Sequence, residues 1–524
     1  GVRGVSITGL TPNTLYYVRV AAMGTGAPAW WGTYSTPVTV TTRSTASTIT
    51  VVSSGGGTEG TDFVTTDGFI APKSGGSVSV NSSVIQNLLL TGNVTLAADN
   101  VVVNSAITWT SSQKLTLGNI SSGSVAVNQS ISASGTTAGL VIAASSYSLQ
   151  TKTGASIQLT GTSTTLVIGA NAYLVVNTVA RLVNVAADSI WALTAPITLT
   201  GTYTTAVKDI TFTGIMDGLG NTINNMNIDV TASRNAGFYA SLGGATVRNV
   251  GFTNVNIKSP TSAITTRLGS VAGDGSNTAG TTNTVTQVWA TGFVNQSGSG
   301  TGTKTEAGGL FGGATRGILN ISKSWSSVAI STSAPSVGSG GIIGTNARTF
   351  GDGIDGLTAA NANTLTVRES YSTGNILRDL TASAWYGNAG IIGVAYGFST
   401  VIENVFSWGN INSTGLSSGV STAGISGVGT ATITDSYTTH SSCGGSATNC
   451  VGGVVAGSAP ATGTGFGTGV WSTVNGASLV NLTPPTKTLY VKVVAPTNGA
   501  YSGITNQIVD STGTVQSTAT LTSL

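Results

Sequence analysis

Charge is what this sequence has least of. Only 7% of its 524 residues are Asp, Glu, Lys or Arg, against about a quarter in ordinary soluble domains. The 20 basic and 17 acidic side chains leave a net charge of +3 and form no runs. A nucleic-acid partner is excluded on that ground, because phosphate recognition needs a clustered basic footprint. Long hydrophobic runs are missing as well. Mean hydropathy is positive, yet no stretch approaches the roughly 18 uninterrupted apolar residues of a spanning helix, so no membrane-spanning segment is expected. Histidine is reduced to His440 and cysteine to Cys443 and Cys450. A serine or cysteine nucleophile would need His440 as its base, but the residue stands in the turn-like TTHSSCGG. The two cysteines, in SSCGGSATNC, predict one local disulfide of an exported protein. Two ligands do not make a zinc site, and no cofactor is expected. Beginning at Gly1 with neither an initiator methionine nor a signal peptide, the chain reads as a processed product or an excerpt of something longer.

What the sequence does have is 73 glycines and an abundance of Ser, Thr and Asn, between which short Val/Ile/Leu triplets recur. That pattern predicts strands and turns. In ITGLTPNTLYYVRVAA, Leu10, Pro12, Thr14, Tyr16 and Val18 fall at every second position, and GTYSTPVTVTT follows after a gap that holds Trp30 and Trp31. One face of such a strand can be buried. After a Ser/Thr linker (Arg43 to Thr50) the triplets VTL, VVV, LTL, VAV and LVI return every 7 to 15 residues. VVVNSAI and VAVNQSI are displaced by 24, from Val101 to Val125. Units of this kind cannot bury their apolar face alone and must stack. From Ile210 a second repeat takes over. FTGIMDGLGNTINNMNI is followed by GSVAG, GGLFG, GGIIG, AGIIG, AGISG and GGVVAG, ending at Gly273, Gly312, Gly344, Gly393, Gly427 and Gly457. Between them lie the companion segments QVWATGFV, SWSSVAI, SYSTGNI, VFSWGNI and SYTTHSS. Paired glycines suit sharp turns and close approach of neighbouring rungs. The aromatic residues are expected to stack along the axis, and the turn asparagines to form ladders.

Three resemblances follow from these residues. The opening segment is similar to the closing strands of a fibronectin type III domain. Val51 to Gly201, above all NVTLAADNVVVNSAITWTSSQKLTL, resembles the repeats of filamentous-haemagglutinin-type adhesins. The glycine motifs with their aromatic companions resemble the GLUG repeat family, and these repeats imply a parallel β-helix in secreted bacterial proteins, without catalytic residues of their own. The expected fold is therefore all-β. It comprises the C-terminal part of a sandwich module over 1–44, a haemagglutinin-like β-helix over 45–205, a GLUG-repeat β-helix over 206–460, and a β-rich cap or the start of a further sandwich over 461–524, with a turn near Asn498 and Gly499.

β-helices also house pectin-cleaving enzymes, which need two carboxylates across a cleft or clustered acids for calcium. Here the acids are dispersed. Asp352 with Asp355 in FGDGIDG, Asp62 with Asp67, and Asp217 of MDGLG are the nearest approaches. Asp352 and Asp355 stand in the longest repeat interval and could cradle a calcium ion, but Asp-Gly pairs are ordinary turn formers, and Asp217 reads the same way. The sequence thus predicts a non-enzymatic, extracellular bacterial surface protein, an adhesin or stalk that binds host or neighbour-cell ligands. The alternative is a filament or sheath subunit whose partner is another copy of itself, with β-strands shared between the terminal segments.

Overall fold

The computed structural model describes residues 47–448, with short interruptions of which 347–362 is the longest, and the separate strands Leu15–Val18, Val38–Thr41, Tyr490–Val494, Thr505–Val509 and Val515–Thr520. Strands dominate, and nearly all of those between 48 and 448 pair in parallel with strands of the turns before and after. This is the arrangement of a parallel β-helix. The backbone hydrogen bonds run along its axis, at about 4.8 Å per rung.

The first coil has three sheets. One stacks Asn100–Val103, Ser124–Val127 and Ser146–Leu149. The second stacks Val94–Leu96, Lys114–Leu117, Gly139–Ile142 and Thr165–Ile168. The third stacks Ile107–Trp109, Ile131–Ala133 and Ile157–Leu159. The 24-residue displacement in the sequence is a rung: Val125 lies in register with Val101, and Ile131 with Ile107. Alternate residues point inward, so Val101, Val103, Leu115, Leu117, Val125 and Val127 are all buried in one core. At the corner the expected asparagine ladder is present, with Asn128 Nδ2 donating to Asn104 Oδ1 at 2.8 Å.

Two features depart from a purely β reading. Residues Ser82–Leu89 form an α-helix whose Ser82, Ile85 and Leu89 are buried. The i, i+3, i+7 spacing places them on one face, so the helix lies across the end of the core. The order of the rungs is also not the order of the chain. Thr48–Val52 sits between Asn100–Val103 and the outermost strand Ser77–Asn81. A two-residue Asp67-Gly68 hairpin lies between them in sequence, with φ of +49° and +81°, as an Asp-Gly turn requires.

The coils meet at an antiparallel pair, Thr165–Ile168 with Asn171–Val176, turned at Gly169. Strand direction reverses there, and the sheet continues in parallel through Ile190–Leu193 and Ile215–Asp217. The buried side changes as well. Tyr173, Val175 and Ala192 join the first core, whereas Val176, Trp191, Leu193 and Met216 face the second. Reversing the strands and exchanging the buried side cancel, so both coils turn in the same sense.

The second coil also has three sheets. The glycine motifs form the corner between the sheet containing Thr265–Leu268, Lys304–Gly308, Ser336–Gly340 and Tyr386–Ala389 and the sheet containing Ala272–Asp274, Phe311–Ala314, Ile343–Asn346 and Ile392–Ala395. A Cβ at Gly309, Gly341 or Gly390 would collide with the hydroxyl of Ser326, Ser372 or Ser407 and with the carbonyl of the next rung's corner. The glycine at the second position of the motif and the serine of the companion strand are thus two halves of one contact across a narrow core. GGVVAG lies outside the described residues.

The companion strands belong to the third sheet. Trp289, Trp325, Tyr371 and Phe406 follow one another in register and are mostly buried. The rings of Trp325 and Tyr371 stack at 5.5 Å with an interplanar angle of 18°, an arrangement contributing about 0.5–1.5 kcal/mol beyond area burial. The backbone of Tyr437 continues the register. Beside this column each rung passes through the left-handed region at one residue, Asn249, Gln287, Lys323, Glu369, Asn404 and Asp435, with φ between +47° and +54°. Lys323 is ill suited to that conformation, and its 3.9 Å pair with Glu369 is half-exposed and contributes little. Lys323→Asn is expected to stabilise the chain by roughly 0.5 kcal/mol, since Asn tolerates this region without the chain entropy of glycine. A higher urea midpoint at unchanged slope is the readout.

At the ends, Leu15–Val18 pairs antiparallel with Val38–Thr41, and Tyr490–Val494, Thr505–Val509 and Val515–Thr520 form an antiparallel three-stranded sheet.

Candidate functional site

Among the described residues, two clusters of charged side chains are buried in this sparsely charged molecule. The first lies in the seam between the coils. Asp217 ends the strand Ile215–Asp217 and is wholly buried. Its Oδ2 accepts from Arg248 Nε at 2.8 Å, and its Oδ1 accepts from Leu219 N and from Asn249 Nδ2, each at 3.0 Å. Arg248 stands one rung on, in register with Asp217. Its Nη2 donates to the Tyr173 hydroxyl at 3.1 Å, and its guanidinium lies 5.7 Å from the centre of the Tyr147 ring. Burial pushes both tyrosines up, with the Asp217 charge adding to the effect and Arg248 opposing it. Burial works against the charge on Arg248, but Asp217 and the two tyrosines outweigh it and hold the guanidinium above its usual range. Gln287, on the next rung, donates to the Leu149 carbonyl at 3.1 Å, and Asn221 to the Ile157 carbonyl at 2.9 Å. The first turns of the second coil thus hold the last turn of the first. Asp217 thus closes the turn that follows it, through the bond from Leu219 N, as its Asp-Gly pair leads one to expect, and is in addition the buried half of an ion pair at a strand end. The sequence carried no sign of this, because its partner is 31 residues away.

The second cluster fills the slot between the two sheets joined by the glycine corner. Glu306 is in register with Arg267, and Nε donates to Oε2 at 2.6 Å. Gly313, facing Glu306, leaves room for that carboxylate. Asp274 accepts from Thr315 Oγ1 at 2.6 Å, from Ser276 N at 3.1 Å and from Thr315 N at 3.3 Å. Burial pushes both carboxyls up against the pull of Arg267, and Asp274 adds its own repulsion to Glu306. A carboxyl raised in the folded state contributes stability that is complete below its unfolded value and lost as pH rises through the folded one. Stability is therefore expected to decline as pH rises from about 4. Asp274→Asn, which keeps an acceptor for Thr315, should flatten the decline, as read from urea midpoints across pH.

Every carboxylate in the two clusters is tied to a cation or to backbone, amide and hydroxyl donors. Among the described residues no group of three or more His, Cys, Asp or Glu is placed to hold a metal. His440 lies on a rung turn, its Nε2 3.0 Å from the Gly409 carbonyl and its backbone N–H donating to Thr438 Oγ1. Cys443 is disulfide-bonded and buried, and its carbonyl accepts from Ile425 N and Ser426 N of the last described glycine corner. Cys450, Asp352 and Asp355 lie outside the described residues. Asp62 accepts from Thr58 N at 2.7 Å, closing a local turn.

No protein-family model and no curated protein matches the chain. The GLUG, haemagglutinin and fibronectin type III resemblances thus find no support there. A crystal structure from Bacteroides ovatus, provisionally named an immunoglobulin A1 protease, aligns over 56% of this chain and 82% of its own at 17% identity, with a TM-score of 0.36. So distant a likeness carries no argument about activity.

Proposed function

We propose that this chain is a non-catalytic segment of an extracellular bacterial surface protein, a stalk or adhesin whose stacked rungs display side-chain rows to a ligand. The observation that carries the reading is the continuous sheet running from Asn171–Val176 to Thr432–Thr434 without a break in register partners. Such a stack is stiff along its axis, and each turn contacts only its neighbours. Its buried acids serve the interior, which leaves the outer rows for recognition. Beads coated with the purified chain should attach to cells, matrix or glycan surfaces above an albumin control; absence of attachment to all three would count against adhesion.

A second reading rests on the ends. The two-stranded sheet at 15–41 and the three-stranded sheet at 490–520 are each too small to bury a core of their own. Completion of one by the other across subunits would make the chain a filament or sheath unit. Electron microscopy of concentrated protein should then show filaments that deletion of residues 1–43 abolishes.

A further inference from the structure

Asn388 and Ser339 are wholly buried in the second coil, yet neither spends its polar atoms on the chain. Asn388 has no hydrogen-bond partner for Oδ1 or Nδ2 among the described residues, and Ser339 has none for its hydroxyl. The two are neighbours in register. Their row runs from Ala236 through Leu268 and Ala307 to Ser339 and Asn388, and its first three members belong to the core. Both polar side chains therefore face the interior. Ser372 and Ser407, on the facing strands, are also wholly buried with unpartnered hydroxyls. The first coil leaves only Thr65 and Tyr147 in this position among its described residues, one near its end and one in the seam. A buried amide without a partner is strongly disfavoured, and native structures rarely leave one so.

The facing strands leave room beside these groups. Gly309 opposes Ser326, Gly341 opposes Ser372 and Gly390 opposes Ser407 across the core. One strand runs into each contact and the other runs out of it. Two residues away on both strands, Ala307 therefore faces Val328, Ser339 faces Gly374 and Asn388 faces Gly409. Ala307 and Val328 together bring four side-chain heavy atoms to the core, whereas Ser339 and Gly374 bring two. The shortfall is about the volume of one or two water molecules, and a space of that size lined by polar atoms fills where an apolar one stays dry. The rung spacing of about 4.8 Å is also what one water, bonded to both neighbours, can bridge. Water both donates and accepts, as the Asn388 amide requires; a cation would leave Nδ2 without an acceptor.

We propose that the second coil binds water inside its core, with at least one molecule bridging the Ser339 hydroxyl and the Asn388 amide. The site is independent of the adhesive reading and stands or falls apart from it. Ser339→Thr and Ser339→Val test it in the full-length chain. The two new side chains share one shape, so any crowding weighs on both alike, and only the first keeps a hydroxyl for the water and Asn388. The unfolding constant of Ser339→Thr should be about tenfold lower than that of Ser339→Val, as read from urea unfolding. In a dry core the order reverses, because the valine fills the space without burying a hydroxyl. Equal stabilities or the reversed order overturn the site. Electron density from wild-type crystals at near-atomic resolution gives a second reading that depends on no variant. A peak about 3 Å from both Ser339 Oγ and the Asn388 amide is expected. An empty space there, or a direct bond from the Asn388 amide to another group of the chain, overturns the proposal.

Discussion

Gly341→Val is expected to destabilise the second coil by about 3 kcal/mol or more, or to prevent it from folding. The substitution looks conservative by location, in the apolar GGIIG motif between Gly340 and Ile342. Its cost comes from across the core. A Cβ at Gly341 meets the hydroxyl of Ser372 and the carbonyl of Gly390, and the backbone on both sides of that contact is held in place, with Gly390 N donating to Gly424 O and Gly341 N to Ala389 O. Neither rung can move without breaking the stack above it. Gly341→Ala combined with Ser372→Gly removes the side-chain half of the collision and leaves the backbone half, so the pair should recover only part of the loss. Gly92→Ala, where a Cβ meets nothing within 4 Å, should stay within about 0.5 kcal/mol of wild type. Urea unfolding of the four chains measures the series. Equal effects at Gly341 and Gly92 would mean that the glycine motif does not serve close approach.

Arg248→Met should cost about 3–5 kcal/mol, because it strands the wholly buried carboxylate of Asp217 with only Leu219 N and Asn249 Nδ2 as donors. The double variant Asp217→Asn with Arg248→Met leaves no buried charge in the seam and should recover most of that loss. The damage should also be local. Arg248 reaches Tyr173 and Tyr147, so amide exchange should accelerate first in residues 147–157 and 171–176, ahead of distant rungs such as 399–403. Uniform acceleration through both coils would assign Arg248 to general stability and not to the seam.

How much of this was legible in the sequence depends on how local the cause was. The rungs were legible where successive turns have equal length, as with Val101 and Val125, because one displacement brings every inward residue onto its equivalent. The aromatic column was legible for the same reason, each ring standing in a recognisable companion strand. The seam was not. Gly169 turns the chain back with the same residue types that turn it forward elsewhere. The exchange of buried side between Val175 and Val176 follows from which core each meets, and apolar residues on both faces of one strand gave no warning of two cores. The helix Ser82–Leu89 was hidden for another reason: VIQNLLL is a short apolar run, ambiguous between strand and helix until Ile85 and Leu89 are seen to share a face. Glu306 and Asp274 were read as scattered acids because their partners, Arg267 and Thr315, are 39 and 41 residues away.

An in-register parallel stack in the second coil fixes the distances along any one row of its residues. Thr284, Asn320, Thr366, Val401 and Thr432 follow one another in register, with Thr246 one rung before Thr284. At about 4.8 Å per rung, spin labels on Thr284 and Thr432 should lie about 19 Å apart at the backbone, and those on Thr246 and Thr432 about 24 Å. Pulsed electron paramagnetic resonance on cysteine-labelled full-length chain should return two narrow distributions separated by one rung. Distances far above these values, or no increment between the two pairs, would contradict the stack.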